Sequence, residues 1–122
     1  MYSGPVSVLV VEDEALIRMS VVDELEDAGF KVMEAGSSEE ALRILNQTPD
    51  LRAIFTDIDM PGSMDGLKLA KLVRETQPDV AIILTSGYLK IPKNDLPGKV
   101  PFISKPYEID LVVNHIRELT LR

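Results

Sequence analysis

Two short and almost uninterrupted apolar runs constrain the fold of this chain more than any other feature. They are VSVLVV at 6–11 and VAIILT at 80–85, and β-branched residues dominate both. Runs of this length without polar alternation are typical of strands buried on both faces, which occur mainly in parallel sheets. Because parallel neighbours need long crossover connections, helices are expected between such strands.

The intervals between the strands carry amphipathic helical spacing. Gly29 is placed to end the first helix, Ser37 or Ser38 to cap the second, and Pro78 to follow the third. The inward faces consist of apolar residues three or four positions apart: Ile17, Val21, Leu25 and Ala28, then Ala41, Leu42 and Leu45, then Leu69, Ala70 and Val73, and finally Ile109, Val112, Val113, Ile116 and Leu119.

Three further strands are predicted at 30–35, 52–56 and 100–104, the first with the alternation of a half-exposed edge strand. The order βαβαβαβ(x)βα predicts a doubly wound α/β domain, with a parallel sheet covered by helices on both faces. Pro92 and Pro97 disfavour a long regular helix before the fifth strand, so the fourth helix is expected to be short or irregular. Residues 1–122 fit one domain.

Composition excludes several classes of function. The formal net charge is -7 and no stripe of lysine and arginine is present, which argues against direct binding to nucleic acid. Cysteine is absent, which excludes disulfides, thiolate catalysis and cysteine-ligated metals. No apolar run approaches the roughly 20 residues of a membrane span, and the start lacks signal-peptide features, so a cytoplasmic location is expected.

Charged and polar side chains follow four of the predicted strands. Glu12 and Asp13 come after the first, Asp57 after the third, Ser86 after the fourth and Lys105 after the fifth. Because ligands of an open parallel sheet bind beyond the carboxyl ends of its strands, these side chains are expected to meet. Clustered carboxylates need a neutralising cation, and an oxygen-only ligand set with open positions favours Mg²⁺ over Zn²⁺.

Four pieces of the sequence resemble the receiver domain of bacterial two-component response regulators, and the resemblance covers essentially the whole chain. The pieces are the acidic pair after VLVV, the loop DIDMPGSMDG that begins at Asp57, the TSGY stretch and the SKP stretch that contains Lys105 and Pro106. The resemblance implies a flavodoxin-like sheet of five parallel strands in the order 2-1-3-4-5.

The resemblance also implies a reaction. Asp57 would accept a phosphoryl group from a phosphohistidine on a sensor histidine kinase or a phosphotransfer protein. Asp13, Asp57 and the backbone carbonyl of Asp59 would ligate Mg²⁺, and Glu12 would act through metal-bound water. Such a domain is a regulatory phosphoacceptor and no ordinary enzyme, although it promotes its own phosphorylation and dephosphorylation.

The other implied roles concern the switch. Lys105, the Ser86 hydroxyl and the Gly87 amide would hold phosphoryl oxygens, and the Ser86 loop would move inward so that Phe102 rotates toward the core. The face of strands four and five would then contact a downstream protein or, in a homodimer, a second copy of the chain.

The sequence departs from the family pattern at three points. Ser63 is an extra residue in the loop after Asp57, and counting it aligns the hydroxyl position with Ser86 instead of Thr85. The stretch from Ser86 to Lys105 is shorter than usual. Phe102 lacks the hydroxyl that many relatives carry as tyrosine, which removes a readout based on that hydrogen bond.

Two other functions compete with the receiver. A haloacid-dehalogenase-like phosphatase would use the DxD formed by Asp57 and Asp59, although that motif normally follows the first strand. A degenerate receiver would bind a partner without phosphorylation, although such a module has no need for a costly acidic cluster. Whether the chain signals through its own surface or is part of a larger regulator or hybrid kinase stays open.

Overall fold

The computed structural model describes residues 4–60, 62, 64–87 and 100–121. In this part of the chain, strands and helices alternate as the apolar patterns predict. The elements are β1 (Ser7–Val11), α1 (Ala15–Asp27), β2 (Lys31–Ala35), α2 (Ser38–Gln47), β3 (Leu51–Asp57), α3 (Gly66–Thr76), β4 (Ala81–Ser86), β5 (Phe102–Ser104) and α4 (Ile109–Thr120).

All five strands pair in parallel in the order β2-β1-β3-β4-β5, which confirms the predicted fold class and strand order. The register places Val11 beside Thr56, Asp57 beside Thr85, and Ser86 beside Ser104. Parallel pairing in this register brings the carboxyl ends of β1, β3, β4 and β5 to the same edge of the sheet. The predicted site residues at the ends of these strands therefore lie at that edge.

The sheet separates two hydrophobic cores, because successive strand residues point to opposite faces. Leu9 and Val11 join the core beneath α2 and α3, whereas Val8 and Val10 join the core beneath α1 and α4. All five residues of β1 are buried, as expected for a central strand with helices on both sides. Eight helix residues predicted to face inward are at most 2% exposed: Leu25, Ala41, Leu45, Leu69, Ala70, Val73, Val112 and Ile116.

Side-chain caps define where the second and third helices begin. Ser37 is the N-cap of α2, and its hydroxyl accepts a hydrogen bond from the Glu40 backbone N–H at 3.1 Å. Glu40 in turn accepts one from the Gly36 N–H at 2.6 Å, a reciprocal arrangement close to a capping box. Asp65 caps α3 by accepting from the Lys68 N–H at 2.9 Å.

Several strand limits differ from those predicted. Asp57 and Ser86 are the last residues of β3 and β4, so they end these strands instead of following them. Strand β5 begins at Phe102 and not at 100, because Pro101 has no N–H to donate to a neighbouring strand. The peptide bond between Lys105 and Pro106 is cis. The segment between β4 and β5 for which a short or irregular helix is predicted, 88–99, lies outside the described residues, as does the extra residue Ser63.

Within the described ranges, no helix has the length and apolar character to cross a membrane.

Gly66, the first residue of α3, packs directly against the end of β3. Its N–H donates to the carbonyl of Ile58 at 3.1 Å. A Cβ atom at this position would overlap the carbonyl oxygen of Asp57 and lie 2.9 Å from the Cα of Ile58. Only glycine therefore lets α3 begin this close to the backbone that carries Asp57.

We predict that Gly66→Ala lowers the free energy of unfolding by about 1–3 kcal/mol, because the added methyl group forces the backbone at Asp57 to shift. Denaturant titration measures this loss. Gly87→Ala is the matched control, since a Cβ there meets nothing within 4 Å. Equal stability of the two variants would contradict the close approach of α3 to β3.

Candidate functional site

Three strand ends bring two buried carboxylates and one amine into contact. The Lys105 Nζ lies 2.6 Å from Oδ2 of Asp57 and 3.3 Å from Oε1 of Glu12. Glu12 and Asp57 are each only 4% exposed, and the Lys105 side chain is one-quarter exposed. An amine that contacts two buried carboxylates offsets part of the cost of removing them from water.

Asp13 extends this pair into an acidic cluster. Carboxylate oxygens of Glu12, Asp13 and Asp57 all lie within 4.8 Å of one another, and Asp13 is exposed where the other two are buried. The cluster offers a hard cation only oxygen ligands, and its exposed side leaves room for water and a further ligand. These properties fit Mg²⁺, which keeps several waters when one or two carboxylates bind it.

The pKa values in the cluster reflect burial and mutual charge. Burial raises the pKa of Glu12; the Glu14 backbone hydrogen bond lowers it, the charge of Asp57 raises it again, and the net shift is upward. Burial lowers the pKa of Lys105, but its hydrogen bonds and charge interactions with Asp57 and Glu12 outweigh that effect and raise it overall. Lys105 is therefore held as a cation between two acids.

Backbone groups fix both the position and the orientation of Asp57. The Asp59 N–H donates to Asp57 Oδ1 at 2.9 Å, so each carboxylate oxygen of Asp57 has a donor. The N–H of Ile58, the residue between Asp57 and Asp59, donates to the carbonyl of Thr85 at 2.8 Å. The loop after β3 is thereby tied to β4 directly beside the carboxylate.

Ser86 and Lys105 are joined through the backbone, since the Lys105 N–H donates to the Ser86 carbonyl at 2.9 Å. Ser86 is completely buried, and its hydroxyl donates to Oδ2 of Asp59. Gly87, the residue after β4, is exposed. Phe102 is half-buried and packs against the core beneath α2 and α3.

The geometry includes contacts that the sequence did not indicate. Arg18 donates through Nη1 to the carbonyl of Glu12 at 2.7 Å and through Nε to Oε1 of Glu34 at 2.9 Å, which ties the acidic pair to α1 and β2. The Glu14 N–H donates to Oε2 of Glu12 at 3.0 Å. The carboxylate of Asp59 also has a partner, although the family resemblance gives a role only to its backbone carbonyl. Arginines in helices and acidic residues in loops are common, so the presence of Arg18 and Asp59 in the sequence does not by itself predict these contacts.

A family model described as the response regulator receiver domain matches residues 8–117. The response regulator receiver protein CpdR of Brucella abortus is 32% identical over 117 residues, which cover 93% of this chain and 96% of CpdR. The sensor kinase CckA of the same organism is 36% identical over 121 residues, which cover 96% of this chain but only 13% of that kinase. The chain therefore matches one relative over nearly its full length and another over a small part.

Solved structures show the same architecture. A response regulator receiver protein from Pseudomonas putida is 26% identical with a TM-score of 0.86, and the match covers 96% of this chain and 99% of that one. The response regulator TrrA of Thermotoga maritima, solved in complex with Mg²⁺ and BeF, is 27% identical with a TM-score of 0.80. That match covers 93% of this chain and 98% of TrrA.

We predict that Mg²⁺ raises the melting temperature by binding the acidic cluster of the folded chain. A ligand at one hundred times its dissociation constant stabilises a fold by about 2.7 kcal/mol. Asp13→Asn removes one carboxylate from the exposed side of the cluster, so this variant should need more Mg²⁺ for the same shift. Asp23→Asn, in the exposed part of α1, is the control and should match the wild type. If both variants respond like the wild type, the cluster is not the cation site.

Proposed function

This chain belongs to the response regulator receiver domain family of two-component signalling, and we propose that it accepts a phosphoryl group from a histidine kinase on Asp57 and changes conformation in response. The whole chain, 1–122, would act as one receiver domain, which agrees with the family match over 8–117. The observation that carries the proposal is the buried carboxylate of Asp57, which contacts an amine and adjoins two further acids.

Asp57 is the proposed nucleophile. In the transfer step the bond between phosphorus and the histidine nitrogen breaks, a bond between phosphorus and an Asp57 oxygen forms, and the imidazole leaves with the electron pair of the broken bond. Because both Asp57 oxygens are held by donors, the side chain needs little reorganisation before attack. Its position at the end of a central strand keeps it rigid.

The chain provides a fitting set of ligands for Mg²⁺. Asp13, Asp57 and the backbone carbonyl of Asp59 would hold the ion, with Glu12 acting through a bound water. When bound, Mg²⁺ neutralises charge on the phosphoryl oxygens and aligns them with the nucleophile. The likeness to TrrA, a response regulator solved in complex with Mg²⁺ and BeF, supports this proposal.

Three groups would hold the transferred phosphoryl group. Lys105 would shift its hydrogen bond from Asp57 to a phosphoryl oxygen, since a cation stabilises the negative charge that arrives there. The Ser86 hydroxyl and the Gly87 N–H would donate to other oxygens. Both groups lie at the carboxyl end of β4, whose neighbour β5 leads directly to Lys105.

The proposed signal leaves the site through β4 and β5. Movement of Ser86 toward the phosphoryl group would let Phe102 turn from its half-buried position into the core. The surface around these two strands would then bind a downstream protein or pair with a second copy. The match to a segment of a sensor kinase supports a histidine kinase or phosphotransfer protein as phosphodonor.

The domain is regulatory, and its chemistry would be limited to promoting its own phosphorylation and dephosphorylation. The dehalogenase-like alternative lacks support, because its DxD motif begins at the end of β3, and the family match is to a receiver. The intact cluster of Glu12, Asp13, Asp57 and Lys105 likewise favours a phosphorylated receiver over a degenerate one.

We predict that acetyl phosphate with Mg²⁺ adds one phosphoryl group to the wild type and none to Asp57→Asn, because the amide is not a nucleophile. Intact-mass spectrometry and mapping of the modified peptide measure this. Asp50→Asn, in an exposed turn, should be modified like the wild type. Equal modification of the wild type and Asp57→Asn would show that Asp57 is not the acceptor. Continuous turnover of a small phosphate ester would instead favour the dehalogenase-like phosphatase.

We further predict that Lys105→Ala slows phosphorylation by roughly a hundredfold, since one preorganised charge beside the reacting group is lost. The measurement is the rate of phosphoryl transfer from a phosphorylated kinase at saturating Mg²⁺. Lys68→Ala changes an exposed lysine of α3 and should leave the rate as it is. An unchanged rate in Lys105→Ala would show that the amine has no part in the transfer.

A further inference from the structure

The hydroxyl of Ser86 has a carboxylate partner in this structure. It donates its hydrogen bond to Oδ2 of Asp59, and Ser86 is completely buried while the Asp59 residue is exposed. A buried hydroxyl that donates to a carboxylate makes a charge-assisted hydrogen bond, which is roughly twice as strong as a neutral one. This contact therefore contributes to the resting arrangement of the site.

A serine hydroxyl has only one hydrogen to donate. If Ser86 donates to a phosphoryl oxygen on Asp57, it can no longer donate to Asp59. The two acceptors are close together, since Asp57 ends β3, Asp59 lies two residues later, and the Asp59 N–H itself donates to Asp57 Oδ1 at 2.9 Å. The carboxylate of Asp59 and the phosphoryl group would thus compete for the same donor.

The backbone around this contact is held in place. The Ile58 N–H donates to the Thr85 carbonyl at 2.8 Å, and the Lys105 N–H donates to the Ser86 carbonyl at 2.9 Å. These bonds join β3, β4 and β5 on either side of the hydroxyl. The hydroxyl can therefore change acceptor only by breaking its bond to Asp59, whether its side chain rotates or the end of β4 moves.

We propose that the Asp59 carboxylate is a latch that holds Ser86 in the resting state and opposes the phosphorylated state until the hydrogen bond to Asp59 breaks. This inference rests on the proposed function, in which Ser86 donates to the phosphoryl group. Asp59 would then have two separate roles: its backbone carbonyl would help to hold Mg²⁺, as proposed above, and its side chain would restrain Ser86. Removing the side chain should make the activated state easier to reach.

A double-mutant cycle tests the latch against a simple charge effect, since a carboxylate near the site also repels an anion. The dissociation constant of beryllofluoride is measured by calorimetry at saturating Mg²⁺ for the wild type, Asp59→Ala, Ser86→Ala and the double variant. Asp59→Ala should tighten binding by roughly tenfold, the effect of about 1.4 kcal/mol. In the Ser86→Ala background the same substitution should have little effect, because no hydrogen bond remains to be released.

The outcomes separate the latch from the function on which it rests. An equal gain from Asp59→Ala in both backgrounds, or no gain in either, would overturn the latch while leaving the receiver function intact. Failure of the wild type to bind beryllofluoride would instead overturn the proposed function.

A second readout does not depend on the Ser86→Ala variant. In Asp59→Ala without beryllofluoride, the NMR signals of the Ser86 and Gly87 amides should move part of the way toward their positions in the beryllofluoride-bound wild type. Signals that stay at their resting wild-type positions would contradict the latch.

Discussion

The hydrogen-bonded ion pair between Lys105 and Asp57 is the interaction on which the site depends. Its 2.6 Å contact joins the ends of β3 and β5, two strands separated in the sheet by β4. Asp57 is buried beside a second buried acid, Glu12, and such a pair of carboxylates is costly without a cation. Lys105 supplies part of the neutralising positive charge. The exposed Asp13 adds a third carboxylate, so the cluster could also bind a metal cation.

The fold keeps this costly arrangement rigid. Parallel pairing sets the strand ends at one edge, and the hydrophobic cores on both faces of the sheet hold them there. Gly66 lets α3 begin against the backbone of Asp57, and backbone hydrogen bonds join the β3 loop to β4 and β4 to β5. A phosphoryl group that draws Lys105 or Ser86 away from its present partner would therefore disturb the end of the sheet and not a single side chain.

Much of this arrangement follows from local sequence patterns, and the remainder depends on contacts between distant segments. The apolar runs and helical spacing predict the elements, and the rule for carboxyl ends of parallel strands predicts that Glu12, Asp57 and Lys105 meet. The strand order required the family resemblance, because spacing alone allows several orders. The bond between Ser86 and Asp59 was not predicted, since it depends on how far β3 and β4 extend and on the rotamers of two loop-edge side chains.

The most direct test of Asp57 as the phosphoryl acceptor is a crystal structure of the chain with Mg²⁺ and beryllofluoride. We predict beryllofluoride on an Asp57 oxygen, Mg²⁺ bound by Asp13 and Asp57, and Lys105 and the Ser86 hydroxyl turned toward the fluorides. Beryllofluoride or Mg²⁺ bound elsewhere, with Lys105 still paired to an unmodified Asp57, would contradict it.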